Sequence, residues 1–249
     1  MRRARYLALL LSIAAHMAHA APEPGAADIR VQLSPIRQTT LSSELAGKIT
    51  ELSVKEGERF TAGDRLVAFD CSVHQAQLSR STAAEEGSRK KLEVANRLDK
   101  LNSISVADVA QAQAAMAVSR AESGVNRAML KRCVINAPFS GRVSSRSVQR
   151  WEYVAEGKEL LGLYDDSGFE LELIVPSRWL GQLKPGHGFK VHLDETGRDY
   201  PAQISRIGAV VDPISQSVKV FGRITQDDEQ LLPGMSGVAQ LSVTVDRPQ

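Results

Sequence analysis

Aromatic residues are scarce in this chain: Phe, Trp and Tyr make up 5% of its 249 residues. Large globular cores take much of their buried area from such side chains. The deficit therefore argues against one such core and for several small bodies. Histidine is also sparse. Beyond the N-terminal twenty residues only His74, His187 and His192 remain, with no helix-spaced metal pair among them. His187 and His192 stand five apart around a predicted strand, which sets them on opposite faces. No Gly-x-Ser-x-Gly elbow occurs, and Met116, Met129 and Met235 are scattered rather than clustered. These absences exclude the common metal and serine hydrolases and leave no catalytic residue, metal ligand or cofactor site to nominate.

The one long apolar run lies at the N-terminus. Arg2, Arg3 and Arg5 precede Tyr6 to Ala15, and Ala18-His19-Ala20 forms a small-x-small cleavage site, the pattern of an export signal over residues 1–20. As an uncleaved anchor the run is short, and His16 interrupts it. Removing its three arginines leaves 28 Lys+Arg against 29 Asp+Glu. The exported chain is then close to neutral, so no nucleic-acid partner is implied.

Residues 47–69 and 141–163 are the organising feature. Offset by 94 positions they superpose without a gap: Gly47 on Gly141, Val54 on Val148, Glu58 on Glu152, Gly63 on Gly157 and Leu66 on Leu160. Turn glycines and apolar positions recur together, as two copies of one supersecondary unit require. Each copy reads as short strands joined by glycine turns, too small to fold alone. Packed face to face, the two make a small β-sandwich with a shared core. Gly47, Gly57, Gly63, Gly141, Gly157 and Gly234 are read as structural turns. Trp151 stands where the first copy has Gly57, and it and Trp179 are read as packing residues.

Residues 71–132 carry no strand pattern. Ser72-Val-His-Gln75 reads as a capping box opening a helix that runs to about Leu101. Asn102-Ser103-Ile104 makes a turn, and Ser105-Val-Ala-Asp108 caps a second helix. Ala107, Ala110, Ala114, Ala117, Ala121, Gly124 and Ala128 recur at alternating spacings of three and four, a coiled-coil seam of small residues. In the first helix Val94, Leu98 and Leu101 form the clearest seam. Antiparallel arms bring Cys71 and Cys133 together at the base, and two cysteines in an exported protein usually pair. Two buried thiols are the alternative.

The order of these motifs carries a resemblance. Gly47-x-Ile49 through Val54-x-Glu56-Gly57 to Gly63-x-x-Leu66, the helical insertion, and Ile135-Asn-Ala-Pro-Phe-Ser-Gly-x-Val143 look like the periplasmic adaptor, or membrane fusion, proteins of the haemolysin D and RND types. Val211-Asp-Pro-Ile-Ser-Gln-Ser-Val-Lys-Val220 and Leu232-Pro-Gly-Met235 resemble that family's β-barrel segments, with Gln216-Ser217 in place of the more usual Arg-Thr. The resemblance implies a mainly β, elongated chain with an inserted α-helical hairpin. Its lipoyl-like barrel-sandwich hybrid would span 37–70 and 133–167, its hairpin 71–132, and its β-barrel 29–36 and 168–245. A membrane-proximal domain is expected to be absent. It further implies a ring-forming adaptor between an inner-membrane transporter of RND or ABC type and an outer-membrane channel. Arg97, Leu101 and Ser105 resemble the family's channel-docking pattern, with a shorter gap before Ser105. A lipoyl or biotinyl carrier shares the sandwich type, but it needs a lysine on the turn where the hairpin sits.

Overall fold

The computed structural model describes residues 27–242 apart from 227 and 229. The predicted export signal, Met1–Ala20, lies outside the described residues, as do residues 243–245. The chain divides into two compact units, one of them Pro35–Gly168 and the other formed by the residues on either side.

In the central unit the offset of 94 positions reappears as geometry. The strands are β2 (Gln38–Ser42), β3 (Gly47–Leu52), β4 (Arg59–Phe60), β5 (Arg65–Phe69), β6 (Val134–Asn136), β7 (Gly141–Arg146), β8 (Tyr153–Val154) and β9 (Glu159–Tyr164). They form two four-stranded sheets, β2-β9-β7-β4 and β6-β5-β3-β8. Shifting every strand by the offset turns one sheet into the other. Each sheet therefore mixes strands from both copies. The hydrogen bonds repeat the exchange. Gly57 N–H donates to Val143 O while Trp151 N–H donates to Ile49 O, and Gly63 N–H reaches Ala137 O while Gly157 N–H reaches Ser43 O. Val54 and Val148 lie in one buried cluster with Ile49, Phe60, Leu66, Val143, Val154 and Leu160. Neither copy has a core of its own.

Gly57, Gly63, Gly157 and Gly234 have φ of 81°, 89°, 81° and 91°, the left-handed conformation that glycine adopts freely. Gly47 and Gly141 are not turns. They open β3 and β7, and at Gly141 the reason for glycine is space: a Cβ there would lie 2.0 Å from the Tyr164 carbonyl oxygen.

The hairpin leaves after β5 and returns before β6. Helix α1 spans Ser72–Asp99 and α2 spans Val106–Lys131; at 1.5 Å per residue each arm is on the order of 40 Å long. The two ends differ in how they are capped. No side chain of a Ser72 capping box acts at α1; instead the Asp70 carboxylate accepts the Ser72 N–H at 3.1 Å. The Ser105 hydroxyl accepts the Asp108 N–H at 3.1 Å, as its spacing predicts.

The alanine stripe of α2 does not form the seam. All its members are exposed except Gly124, which is half-buried. The less exposed side chains are Val109, Ala112, Met116, Ser119, Ser123, Asn126 and Leu130, at the same three-four spacing on the opposite face. Val, Met and Leu bury more apolar area than alanine, and the serines find partners. Ser123 is fully buried and donates to the Glu85 carboxylate; Ser88 and Ser119 pair at 2.9 Å. On α1, Val94 and Leu98 are likewise exposed, as is Leu101 just beyond it, and Ala95 is buried. The hairpin interior is therefore polar at mid-length.

The second unit is a closed six-stranded barrel in the order β1-β10-β13-β12-β11-β14. Its strands are β1 (Ala27–Pro35), β10 (Phe169–Pro176), β11 (Gly188–Leu193), β12 (Arg198–Asp212), β13 (Ser217–Ile224) and β14 (Ser236–Leu241). Alternate residues such as Leu171, Leu173, Val191, Leu193 and Val220 fill its core. Trp179 packs there too, in a single 3-10 turn, Ser177–Trp179.

Candidate docking surface

The hairpin turn gathers the three residues of the predicted docking pattern but gives them different tasks. Arg97 is ion-paired with Glu93 at 3.0 Å, one helical turn back. The Ser105 hydroxyl is committed to its cap and to the Asp108 carboxylate at 2.6 Å. Leu101, just beyond α1, is 67% exposed, which makes it the member of the three with apolar surface to offer. Beside it runs a groove of about 350 Å³ lined by Val94, Ala95, Leu98 and Ile104 and flanked by Lys90 and Lys91. Asn102 turns the chain with φ of 55°, a conformation that asparagine tolerates.

At the other end of the hairpin Cys71 and Cys133 are joined in a disulfide, with Cα atoms 6.1 Å apart. Cys133 is buried in the sandwich core, and Cys71 and Leu130 pack against it. The bond ties the arms to the body from which they emerge.

A charged clasp closes the far end of the sandwich. Arg37 precedes β2 and Asp165 follows β9; the guanidinium donates two hydrogen bonds to the carboxylate, at 2.8 and 2.6 Å. It also stands 5.0 Å over the Phe139 ring. Next to this pair, Asp166 accepts from Arg59 and Arg142 at 2.9 and 3.0 Å. Burial alone would raise the Asp165 carboxyl, but hydrogen bonds from Ser167 and then from Arg37 outweigh it and hold it below the ordinary 3.8. A depressed carboxyl contributes stability that is fully present above its ordinary pKa and is lost as pH falls through its folded value. Asp165→Asn is expected to cost about 2 kcal/mol at neutral pH. That is less than for a fully enclosed pair, because Arg37 is 59% exposed. Urea unfolding of both proteins at pH 7 and pH 3 checks the sign: the difference shrinks at the lower pH.

Trp151 has a role that its position in the repeat did not disclose. It takes φ of 75° where Gly57 takes 81°, and it is 56% exposed rather than packed. Lys48 Nζ and the Arg150 guanidinium stand 5.1 and 4.6 Å from its ring centroid. The lone signal in the sequence was a bulky residue opposite a turn glycine.

Among the described residues, no cluster of His, Cys, Asp or Glu could hold a metal ion, and no helix is long and apolar enough to cross a membrane. A two-copy sandwich with a helical hairpin between its halves and a six-stranded barrel beside it in sequence defines a class of structural adaptors. Residues 37–163, half of the chain, match the family model described as RND MFP, barrel-sandwich hybrid domain. The chain belongs to the RND membrane fusion protein family. It is 26% identical over 226 residues to nodulation protein NolF of Rhizobium meliloti, covering 85% of this chain and 62% of NolF. It is 26% identical over 212 residues to the uncharacterized protein YdhJ of Escherichia coli, covering 79% of this chain and 70% of YdhJ. The chain thus spans about three fifths of NolF, and 57% of a matching uncharacterized protein of Haemophilus influenzae. A MacA-MexA chimera carrying the Pseudomonas aeruginosa MexA α-hairpin shares the fold, with a TM-score of 0.78 at 20% identity over 87% of this chain and 80% of the chimera. The membrane fusion protein Spr0693 of Streptococcus pneumoniae matches with a TM-score of 0.71 at 15% identity, over 86% of this chain and 97% of its own.

Proposed function

We propose that this protein is a periplasmic adaptor that links an inner-membrane transporter, of RND or ABC type, to an outer-membrane channel for efflux or secretion, and that it catalyses nothing itself. The observation that carries this reading is the hairpin set between the two halves of the sandwich, in a chain of the membrane fusion protein family. A rod rooted in a rigid body suits reaching a distant partner. Copies assemble as a ring, the barrel contacts the transporter, and the hairpin turn contacts the channel through Leu101 and the groove beside it. Export places the chain in the periplasm through the predicted signal at residues 1–20. The lipoyl or biotinyl carrier alternative wants a modified lysine on the connection between the halves, which here is α1 and α2; an added lipoyl or biotinyl mass on the purified protein would support it.

The test is photo-crosslinking from position 103 in the intact cell envelope. Capture of an outer-membrane channel protein is expected, and Leu101→Glu is expected to reduce that capture about tenfold, as loss of an apolar hot spot does. Capture of no envelope protein, or capture indifferent to the charge at 101, would overturn the docking role.

A further inference from the structure

We propose that Trp151, Tyr153, Lys48 and Arg150 form a binding site for a small amphiphilic anion, a carboxylate or sulfonate carried on an apolar body. Four independent observations converge on this patch. Trp151 and Tyr153, 56% and 72% exposed, are the only large hydrophobic side chains left exposed within residues 37–70 and 133–167. Tyr153 on the edge strand β8 is the cross-strand partner of Lys48 on β3, so the two side chains share one face. Both cations stand over the Trp151 ring, at 5.1 and 4.6 Å, and among the described residues neither has a carboxylate ion-pair partner. Arg150 spends only its Nε, on the Thr50 carbonyl at 2.8 Å. Of the nearby acids, the Asp70 carboxylate accepts the Ser72 N–H and feels the Lys48 charge without an ion-pair contact, and the Glu152 carboxylate accepts the Gln149 N–H.

The fourth observation is the backbone. The related turn uses Gly57, where a Cβ would meet nothing within 4 Å, whereas this turn holds a tryptophan in the left-handed region that L side chains rarely adopt. Every other backbone bond of the two turns corresponds. Gly57 and Trp151 each donate across to the other copy, and Glu58 and Glu152 donate back to Lys55 and Gln149. The strain therefore sits in the backbone of the one residue that differs, whose ring is flanked by two cations.

The chemistry of the ligand follows from what the patch lacks and offers. A cation is repelled by Lys48 and Arg150, an inorganic anion leaves the rings uncovered, and a neutral apolar molecule leaves both charges unused. A patch of four side chains is also far smaller than the roughly 800 Å² per partner of a stable protein interface. A small molecule with one anionic end and an apolar body satisfies all four groups. This assignment goes beyond the adaptor reading and does not depend on it.

The chain has two tryptophans, and Trp179 is 4% exposed in the barrel core, so emission changes on binding report Trp151. The full-length protein is titrated with deoxycholate below its micellar range, followed by tryptophan emission and by calorimetry. Octyl glucoside and dodecyltrimethylammonium serve as neutral and cationic controls. Saturable binding of one deoxycholate is expected, at least tenfold tighter than either control. Trp151→Gly, which installs the residue of the related turn, and the pair Lys48→Glu with Arg150→Glu are each expected to weaken it at least tenfold, by calorimetry, with unchanged circular dichroism. Trp179→Phe retains the emission change. Equal binding of a control, or undiminished binding by folded Trp151→Gly, would overturn the assignment. So would sedimentation showing that wild type self-associates through this patch and Trp151→Gly does not.

Discussion

Replacing Cys71 and Cys133 together by serine is expected to lower the unfolding free energy by about 4 kcal/mol. The bond joins residues 62 apart in sequence, and closing a loop of that length removes chain entropy from the unfolded state worth about that amount. The effect should be visible locally as well. The interior of the hairpin rests on Ser88-Ser119 and Ser123-Glu85 contacts rather than on a continuous apolar seam, and each such hydrogen bond contributes about 1 kcal/mol net. With the base unclamped, amides near the base of α1 and α2 exchange faster than those of the sandwich sheets. Urea unfolding of the serine pair, beside wild type with and without dithiothreitol, is the measurement. A loss under about 1 kcal/mol would mean that packing of Leu130 and the helix ends already fixes the base.

Gly141→Ala should cost about 3 kcal/mol or more, whereas Gly47→Ala at the related position should cost less than about 1 kcal/mol. At Gly141 a Cβ would sit 2.0 Å from the Tyr164 oxygen, 2.9 Å from its carbonyl carbon and 3.1 Å from Asp165 Cα, all of them backbone. That backbone is held by strand pairing of β7 with β9 and by the Arg37-Asp165 clasp, so it has little room to retreat. At Gly47 the nearest atom is Leu45 Cδ1 at 3.1 Å, the end of a side chain that can rotate. The asymmetry has a cause in the chain. The residue related to Tyr164 is Asp70, where the first copy has already turned toward α1. Equal costs in thermal melts of the two variants would contradict this account.

The sandwich was legible because its signal is repeated. The turn glycines at 63 and 157 and apolar positions such as Val54, Val148, Leu66 and Leu160 recur at one offset, and glycine at positive φ has few substitutes. The helical insertion was legible from its composition and from the cap at Ser105. The face that α2 turns inward was not. Its alanines recur as regularly as Val109, Met116 and Leu130, and periodicity alone does not rank two faces with the same period. Burial does, because larger apolar side chains bury more area, and the serines are tolerated inside because Glu85 and Ser88 satisfy them. Gly141 was misread as a turn because sequence shows that a Cβ is missing without showing which neighbour needs the space. The long strand β12 escaped notice altogether: over Arg198–Asp212 only Tyr200, Ala202 and Ile204 are buried, and its bulges at Ile204/Arg206 and Ile207/Val211 break the alternation. At the hairpin turn Arg97, Leu101 and Ser105 could be named from the family resemblance, but not the ion pair and cap that leave Leu101 as the exposed apolar member of the three.

Two distant segments form one folded body, and native-state amide exchange tests that most directly. The N–H groups of Gly57, Gly63, Trp151 and Gly157 each bond to a carbonyl of the opposite half of the sandwich, so none can open without parting the halves. Exchange of all four at one common rate, that of global unfolding, is the predicted result. Exchange of the Gly57 and Gly63 pair differing from the Trp151 and Gly157 pair by more than about a hundredfold would show two separate bodies and contradict it.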